Sequence, residues 1–464
     1  MQVIFMISKE DLVKAGADNL SDILISIYEN NPALQKQLDI TFAGLNESPK
    51  KLISAIKKEI SSLKRSKGFV DYYGSDSLAS RLDQLRNSIA EDLKKKSPED
   101  AIKLMHDFFN LHSNTIERCD DSNGTVGEVF VQSCEDLGKM YSGSSKDQAE
   151  VAELVFDIFT KDNYGICGNA IIDFKDALQE QGLNHLRSKL NNSNIRSYYV
   201  AKGLKDIADC RKNIDEYIEA CSFKSSELTD HDYIEITSRY INAWDSKKAL
   251  EWINKVDKDN IRYQNEATSL RIKALELDGD YKQVEEERVE WFNKTLSPEL
   301  YGKILSNAKS DFKEQFKKSA IQKAYDFSDP HQSVKFFIDT QEFEECANLV
   351  HLKYEKMDGS RYYILRPAAK ILQQIDPLAA ILLYRKMVQP VLDAAKSKYY
   401  NYASKDLALC TILSKKVSDW KGHTPHDLYF HQIKESNKRK VSFWPQYQDA
   451  LQKSRAKEIK KTKE

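Results

Sequence analysis

Seven of the ten prolines in this chain directly follow a serine, threonine, aspartate or asparagine. This pairing is typical of helix starts, because proline tolerates the first helical position and the polar residue before it can cap the free backbone amides. The seven pairs are Asn31-Pro32, Ser48-Pro49, Ser97-Pro98, Ser297-Pro298, Asp329-Pro330, Asp376-Pro377 and Thr424-Pro425. They predict seven helix starts distributed along almost the whole sequence.

The apolar residues between these starts are spaced by three and four positions, as on one face of a helix. Leu52, Ile53, Ile56, Ile60 and Leu63 form one such series. Glycine (16) and proline (10) are scarce for 464 residues, as expected for long helices joined by short turns. We find no convincing period-2 alternation, although a short strand at residues 2–7 stays possible. The sequence therefore predicts an all-α protein.

Two pairs of segments repeat in the second half of the chain. Residues 245–250 resemble residues 280–285 at an offset of 35, and residues 341–347 align with residues 375–381 at an offset of 34. An offset near 34 is the tetratricopeptide period, in which each helix pair covers the apolar face of its neighbour. Residues 277–281 resemble the turn within such a repeat. Because the full consensus is absent, we predict a tetratricopeptide-like α-solenoid, that is, an α-α superhelix.

The domain organisation follows from where this periodicity begins. A chain of 464 residues is too long for one compact core. We predict a helical, non-periodic N-terminal domain at residues 8–225, the solenoid at residues 228–445 and a charged tail at residues 446–464. The serine-bearing segment 219–230 is the expected boundary.

Charge and cysteine content indicate a cytoplasmic protein. Lys and Arg number 70 and Asp and Glu 71, so no chain-wide attraction to nucleic acid or anionic membranes is implied. The seven scattered cysteines form no C-x-x-C pair and are expected to be reduced thiols. The apolar residues 3–7 are fewer than the roughly 7–15 of a secretory signal. We expect a short packing arm there, or an extended start that precedes a natural opening at Met6.

No catalytic or metal-binding pattern stands out among the residues. The nine histidines show no H-E-x-x-H motif, and none of the glycine-bearing turns forms a phosphate loop. Residues 120–124 resemble a calcium loop, but its register would place Cys119 and Phe130 at the first and twelfth ligand positions. We interpret this segment as a polar turn that caps a helix near Thr125. We therefore predict no cofactor, no metal and no enzymatic activity, with an unfamiliar active site as the third hypothesis.

Tyrosine and arginine are concentrated between residues 362 and 402. Such side chains anchor many protein interfaces, although tyrosine in a helical array is often a core residue with its hydroxyl at the rim. The predicted partner-binding residues are Tyr362, Arg366, Arg385, Lys398, Tyr399 and Tyr402. They favour a groove that binds a partner protein.

Basic residues next to aromatic ones support an alternative, nucleic-acid contact. Charge combined with stacking rings is how single strands are held. The candidate residues are Lys64, Arg65, Lys67, Arg439 and Lys440. The first cluster precedes Phe69, Tyr72 and Tyr73, and the second precedes Phe443 and Trp444. The competing interpretation is a solvated helix end, because acids flank each cluster and lysine near a helix end satisfies backbone carbonyls.

Five stretches of the sequence resemble an uncharacterised, all-helical bacterial family, known only as a domain of unknown function. They are residues 68–71, 118–130, 163–165, 376–385 and 439–444. The last two also resemble the helical repeats that follow SWIM zinc fingers, but the C-x-C and C-x-H of such a finger are absent, so its binding function is not implied here. Pro390 departs from the family pattern and should kink or split a long helix near Gln389.

The resemblance implies a fold and brings no known substrate or catalytic residue. The first hypothesis is therefore a non-enzymatic scaffold that binds a partner protein along the solenoid groove. The alternative is a nucleic-acid-associated accessory factor in a bacterial defence or regulatory system. No membrane contact is expected, and the sequence assigns no oligomeric state.

Overall fold

The computed structural model describes residues 8–45, 48–162, 164–223, 227–258 and 260–461. Within these ranges the secondary structure is helical, and the only extended pairing is an isolated parallel bridge between Val70 and Cys119. Residues 2–7, where a strand stayed possible, lie outside the described residues. No helix in the described ranges is long and apolar enough to cross a bilayer.

Contacts between residues divide the chain into two compact units. The first extends to Ala243 and includes Glu251–Asp257, and the second comprises Trp244–Leu250 and Lys258 onwards. The division therefore falls after the boundary that was predicted between residues 225 and 228.

The first unit contains fifteen α-helices among its described residues, and a π-helical turn at Ser88–Leu93 joins the fifth to the sixth. The helices are α1 (Lys9–Ala15), α2 (Ala17–Asn30), α3 (Pro32–Leu45), α4 (Pro49–Arg65), α5 (Tyr72–Asn87), α6 (Lys94–Lys96), α7 (Pro98–Phe109), α8 (His112–Glu117), α9 (Thr125–Ser142), α10 (Gln148–Thr160), α11 (Ala170–Asp173), α12 (Lys175–Asn192), α13 (Ser197–Arg211), α14 (Ile214–Ser222) and α15 (Asp230–Asn242).

After α16 (Ser246–Ile253), the helices belong to the second unit, which also has 3-10 turns at Tyr354–Lys356, Ser397–Tyr399 and Ser414–Lys416. The helices are α17 (Gln264–Asp278), α18 (Tyr281–Thr295), α19 (Pro298–Asn307), α20 (Ser310–Asp326), α21 (Pro330–Asp339), α22 (Phe343–Lys353), α23 (Tyr362–Leu372), α24 (Pro377–Asp393), α25 (Tyr400–Leu413), α26 (His426–Ser436) and α27 (Phe443–Lys461).

Six of the seven prolines open a helix as predicted. At α24, for example, the Asp376 side chain accepts a hydrogen bond from the backbone amide of Ala379 at 2.9 Å. At the seventh, Pro425 itself is the cap residue, and α26 begins one residue later at His426. The proline pairs thus locate six helix starts to the residue.

The helix starts of the second unit reproduce the sequence repeats. Helices α16 and α18 begin 35 residues apart, and α22 and α24 begin 34 residues apart. Gly279 ends α17 in the left-handed conformation (φ +81°), as the predicted inter-helix turn requires. Helices α21 and α22 each contact both the next helix and the one after it, which is the pattern of stacked helix pairs. The fold class is all-α with helical repeats, as predicted.

Each unit has an apolar core of its own. In the first, Leu52, Ile56, Ile60 and Leu63 are buried and Ile53 is partly buried, which confirms the predicted inner face of α4. Helices α1 and α2, by contrast, contain no buried residue. In the second unit, residues 378–383 of α24 are buried without interruption, as expected for a helix covered on every side.

Of the two effects predicted for Pro390, a kink or a split of the helix, the split does not occur. The helix continues from Pro377 to Asp393 with Pro390 inside its last turn. Because Pro390 has no N–H, the carbonyl of Lys386 loses its usual helical donor. The backbone of Gly359 packs against this carbonyl, so closely that an added Cβ would lie 1.7 Å from the oxygen.

The terminal helix extends the core beyond the predicted end of the solenoid at residue 445. Phe443, Tyr447, Ala450 and Leu451 of α27 are buried, and the rings of Phe443 and Tyr400 meet at 5.5 Å. The first part of the expected charged tail at residues 446–464 is therefore a packed helix, whereas residues 452–456 are mostly exposed.

Candidate functional site

Four of the six residues predicted to bind a partner line one pocket of the second unit. Its volume is about 380 Å³. The lining residues are Gly359, Ser360, Tyr362, Arg366, Met387, Pro390, Val391, Lys396, Tyr399 and Tyr402. Tyr362, Arg366, Tyr399 and Tyr402 thus come together although up to 40 positions separate them. We refer to this site as the tyrosine pocket.

Three elements of secondary structure bring these side chains together. Tyr362 and Arg366 lie one turn apart at the start of α23. Met387, Pro390 and Val391 are spaced by three and four positions near the end of α24, so they share one face. Tyr399 ends a 3-10 turn, and Tyr402 lies in the first turn of α25. Regular backbone therefore holds most of the pocket in place.

The three tyrosine rings are only half-covered. Their exposed fractions are 57% for Tyr362, 44% for Tyr399 and 52% for Tyr402. The guanidinium of Arg366 lies 5.8 Å from the ring centre of Tyr362 and 5.6 Å from that of Tyr402. A cation at this distance attracts the ring faces and helps to orient both rings.

Arg366 is itself held by a buried carboxylate. Its Nη2 donates to Oδ2 of Asp406 at 2.5 Å, and its Nε donates to Oδ1 at 3.4 Å. Burial disfavours the charged guanidinium, but the hydrogen bond and charge of Asp406 outweigh it and raise the pKa of Arg366. Arg366 is therefore a fixed, permanently charged part of the pocket wall.

The placement of Arg385 contradicts its predicted role as a partner contact. Its side chain is only 3% exposed and does not line the pocket. The guanidinium lies 5.1 Å from the ring centre of Trp420 and 4.2 Å from that of Tyr429. An arginine is usually exposed, and these two rings, more than 30 residues away in sequence, are what cover it.

Lys398 is exposed but lies outside the pocket lining, beside Tyr399 in the 3-10 turn. Lys396, two residues earlier, lines the pocket instead. The prediction also missed the apolar floor of Met387, Pro390 and Val391. An apolar residue of a buried helix looks the same in sequence whether it faces the core or a pocket.

The first basic cluster lies on a well-anchored part of the first unit. Lys64 and Arg65 end α4, and Lys67 follows in the connection to α5. In this connection Val70 donates to the carbonyl of Arg118 at 2.8 Å and accepts from the amide of Asp120 at 2.9 Å. The aromatic rings nearby are nevertheless exposed, Phe69 at 70% and Tyr73 at 90%.

The second basic cluster is different. Arg439 and Lys440 lie in the turn between α26 and α27 of the second unit. Phe443 is fully buried, and the indole of Trp444 donates to the carbonyl of Asn437 at 3.1 Å. Of the two rings that were expected to stack on bases there, Phe443 is part of the core and Trp444 is partly buried against it, which argues against this half of the nucleic-acid prediction.

One group of side chains in the described ranges has ligand atoms close enough to hold a metal ion: His231, Asp232 and Glu235. The ammonium of Lys205 lies 3.0 Å from Asp232 and 3.2 Å from Glu235. Tyr217 also donates to Glu235 at 2.6 Å. A lysine thus supplies positive charge to both carboxylates.

The turn at residues 120–124 has the capping role expected of it. The two carboxylate oxygens of Asp121 accept from the amides of Val126 and Gly127, at 2.9 and 2.8 Å. Gly124 precedes α9 in the left-handed conformation (φ +74°). The carboxylate of Asp121 is therefore occupied by the first turn of the helix.

Comparison with known proteins now identifies the family. A model described as "Family of unknown function (DUF6880)" matches residues 6–202 and 191–446. The chain belongs to this family. The expected membership of an uncharacterised, all-helical family is thus confirmed, while the resemblance to SWIM-associated repeats stays a prediction.

No curated protein matches the chain significantly. Among solved structures, it is similar to a "Circular tandem repeat protein with novel repeat topology and enhanced subunit contact surfaces" at 11% identity. The match covers 96% of this chain and 100% of that one, with a TM-score of 0.18. A similarity at this level carries no argument about fold or function.

Proposed function

We propose that this protein is a non-enzymatic interaction scaffold that takes a segment of a partner protein into the tyrosine pocket. The observation that carries the proposal is the composition of the pocket: half-exposed Tyr362, Tyr399 and Tyr402 surround an apolar floor that includes Met387. Its lining of rings, aliphatic groups and fixed charges is typical of surfaces that bind proteins.

A polypeptide segment is the occupant that this lining suits best. Met387 and Val391 offer apolar surface to an anchoring side chain, and a cavity of about 380 Å³ has room for one or two such side chains. The tyrosine rings add large contact areas at little cost in conformational entropy, and their hydroxyls are available to backbone groups. Lys396 favours an acidic residue next to the anchor.

The walls are also organised before any partner arrives. Arg366 is fixed by Asp406, and the turn before α25 is held by the hydrogen bond from Tyr399 N to Lys396 O at 2.9 Å. A surface that is already ordered loses less entropy on binding. All seven cysteines are free, six of them buried, which supports the cytoplasmic location that we propose for this scaffold.

The test is selection of binding peptides from a random peptide library displayed on phage, with the full-length chain as bait. Tyr402→Ala is expected to lower the affinity for the selected peptides about tenfold or more, as measured by fluorescence anisotropy, because it removes an interface anchor. Tyr363→Ala is the matched control. Tyr363 follows Tyr362 directly and is 65% exposed, but it does not line the pocket.

The two variants distinguish binding in the pocket from non-specific binding. If both substitutions lower the affinity for the peptides equally, or if neither does, the tyrosine pocket is not the binding site. Thermal unfolding of each variant is measured in parallel, since a Tyr402 variant that loses binding must still be folded to count in favour of the proposal.

A specific observation favours single-strand nucleic-acid binding as a second function, in the first unit. Phe69, in the connection before α5, and Tyr73, in the first turn of α5, are strongly exposed, and the bridge between Val70 and Cys119 holds this connection in place. Lys64, Arg65 and Lys67 precede them and would contact the phosphates. Exposed rings on an ordered backbone offer stacking platforms that need no further ordering.

We expect a fluorescent oligonucleotide to bind the chain at low salt, with an affinity that falls steeply as salt is raised. The double variant Phe69→Ala/Tyr73→Ala should bind at least about thirtyfold more weakly, because each of the two stacked bases contributes about 1–3 kcal/mol. Tyr281→Ala is the control, since Tyr281 is 69% exposed but lies in the second unit. If the oligonucleotide does not bind at low salt, this second function is excluded.

A further inference from the structure

The buried Arg385 has an unusual set of partners. Its Nη1 donates to the carbonyl of Thr424 at 2.7 Å. Among the described residues, no protein atom accepts a hydrogen bond from its Nε or its Nη2, although both atoms are buried. One whole edge of the guanidinium, carrying two parallel donors, is therefore without a protein acceptor.

The same edge carries a carboxylate in other arginines of this chain. In Arg239, Nε and Nη2 donate to the two oxygens of Asp209, both at 2.7 Å. Arg366 uses the same two atoms for Asp406. Arg239 also resembles Arg385 in lying over a tyrosine ring, 3.4 Å from the centre of Tyr217. Arg385 is thus stacked on aromatic rings as Arg239 is, but no carboxylate of the protein accepts from its Nε and Nη2.

The groups around Arg385 do not supply a negative charge. Burial raises the pKa of Tyr354 to about 12 and that of Tyr429 well above its usual value, so both phenols are neutral near pH 7. Burial also raises the pKa of the Cys410 thiol. The pKa of Arg385 itself is lowered, chiefly by burial.

Two acidic groups of this region have other partners. Asp376 accepts from His351 at 2.8 Å and lies 3.4 Å from the ammonium of Lys421. Glu355 pairs with Lys386. Burial and the charge of Arg385 lower the pKa of His426 to about 4, so this imidazole is neutral near pH 7 and adds no competing charge.

The start of α26 adds a second positive feature. This helix of eleven residues begins at His426, two positions after the carbonyl that Arg385 holds. Pro425, at the cap position, offers no side-chain acceptor to the amides of the first turn. The first turn also carries the carboxylate of Asp427, which is exposed. The positive end of the helix dipole and the buried guanidinium are close together below it, an arrangement that favours anions.

A buried charge without a partner is costly to the folded state, whereas two parallel N–H donors match two oxygens of a carboxylate or phosphate group. We infer that the Nε and Nη2 atoms of Arg385 bind the oxyanion group of a small molecule, beside the start of α26. Thr424 and Pro425 above the site are exposed, so the site lies one layer below the surface. Movement of the connection at residues 417–425 would admit the ligand.

The experiment measures thermal unfolding of the full chain in inorganic phosphate, in acetate and in sodium chloride at equal ionic strength. We expect the Tm to rise with the logarithm of the phosphate or acetate concentration and to be unaffected by chloride. The oxyanion with the larger effect distinguishes a phosphate ligand from a carboxylate ligand. Isothermal titration calorimetry then gives the Kd.

Three variants test whether Arg385 is responsible. Arg385→Met should abolish the rise in Tm while leaving the chain in chloride at least as stable as wild type, since methionine fills the apolar site without a charge. Arg385→Lys keeps the charge but loses the two-donor edge, and should weaken binding about tenfold or more. Arg239→Met is the matched control. It should lower the Tm, because Asp209 loses its partner, but the Tm should still rise with oxyanion concentration.

Three results would overturn the inference. They are the absence of any oxyanion-dependent shift in wild type, an equal shift in Arg385→Met, which would indicate a general salt effect, and unchanged affinity in Arg385→Lys. If Arg385→Met does not fold, the stacking of Arg385 is structural, and Arg385→Lys alone decides. None of these outcomes depends on peptide binding at the tyrosine pocket.

Discussion

Replacing Gly359 by alanine is expected to lower the free energy of unfolding by about 3 kcal/mol or more, because it forces a clash that the surroundings cannot relieve. The new Cβ would lie 1.7 Å from the carbonyl oxygen of Lys386 and 3.1 Å from Cγ of Pro390. The first of these is a backbone atom of α24, a helix buried along most of its length. Relief would require the helix or the turn before α23 to shift.

The cause of this close approach is Pro390. A residue with an N–H at position 390 would donate to the Lys386 carbonyl and continue the helix in the usual way. With proline there, the carbonyl is open, and the backbone of Gly359 packs against it. Gly359 and Pro390 both line the tyrosine pocket, so the same contact also positions part of the proposed binding surface.

Urea denaturation of Gly359→Ala and of Gly302→Ala measures the effect. Gly302 lies inside α19, and an added Cβ there would meet no atom within 4 Å. Gly302→Ala should therefore leave stability unchanged or raise it by up to about 1 kcal/mol through helix propensity. Equal stability of Gly359→Ala and wild type would contradict the close contact, and so would equal damage from both substitutions.

The helix starts were predictable because their signals are local. A capping side chain and the proline after it act within one turn, so Asp376-Pro377 determines where α24 begins with little help from the rest of the chain. Thr424-Pro425 shows where such signals fail. The Thr424 carbonyl is held by Arg385, a residue 39 positions away, and the helix begins one residue later.

The site was predictable only in part, for a related reason. Tyr362 and Tyr402 stand out in sequence because large aromatic residues with polar tips are common at interfaces. The apolar floor has no such signal, since Met387 and Val391 have the character of any residue in a buried helix. The prediction for Arg385 was wrong because burial of a charge depends on distant residues, here Trp420 and Tyr429.

The end of the chain shows how composition can mislead. The lysines and glutamates of residues 454–464 suggested a charged tail from residue 446 onwards, yet Tyr447, Ala450 and Leu451 have the three- and four-residue spacing of a buried helix face. All three are buried in the structure. Periodicity was the better guide here, because a helix that covers a core needs only one apolar face, and its other faces can be entirely charged.

Deleting residues 446–464 is accordingly expected to destabilise the second unit by several kcal/mol. Burial of a large apolar side chain stabilises by about 1.5–3 kcal/mol, and the deletion removes Tyr447 and Leu451 together. It also removes the hydrogen bond between the Tyr447 hydroxyl and Thr411, 3.0 Å apart. Deleting only residues 457–464 should change stability by less than about 1 kcal/mol, since it leaves these buried contacts in place.

Thermal unfolding monitored by circular dichroism separates burial from chain length when the double variant Tyr447→Ala/Leu451→Ala is added. This variant keeps the full length of α27 and truncates only two side chains of its buried face. If packing of α27 stabilises the unit, the double variant should lose most of what the longer deletion loses. If the double variant is as stable as wild type while the deletion of residues 446–464 is destabilised, the helix stabilises the unit through its charged face instead. The exposed pair of Lys453 and Asp449, at 2.7 Å, contributes too little to account for such a loss, because ion pairs in water stabilise by about 1 kcal/mol or less.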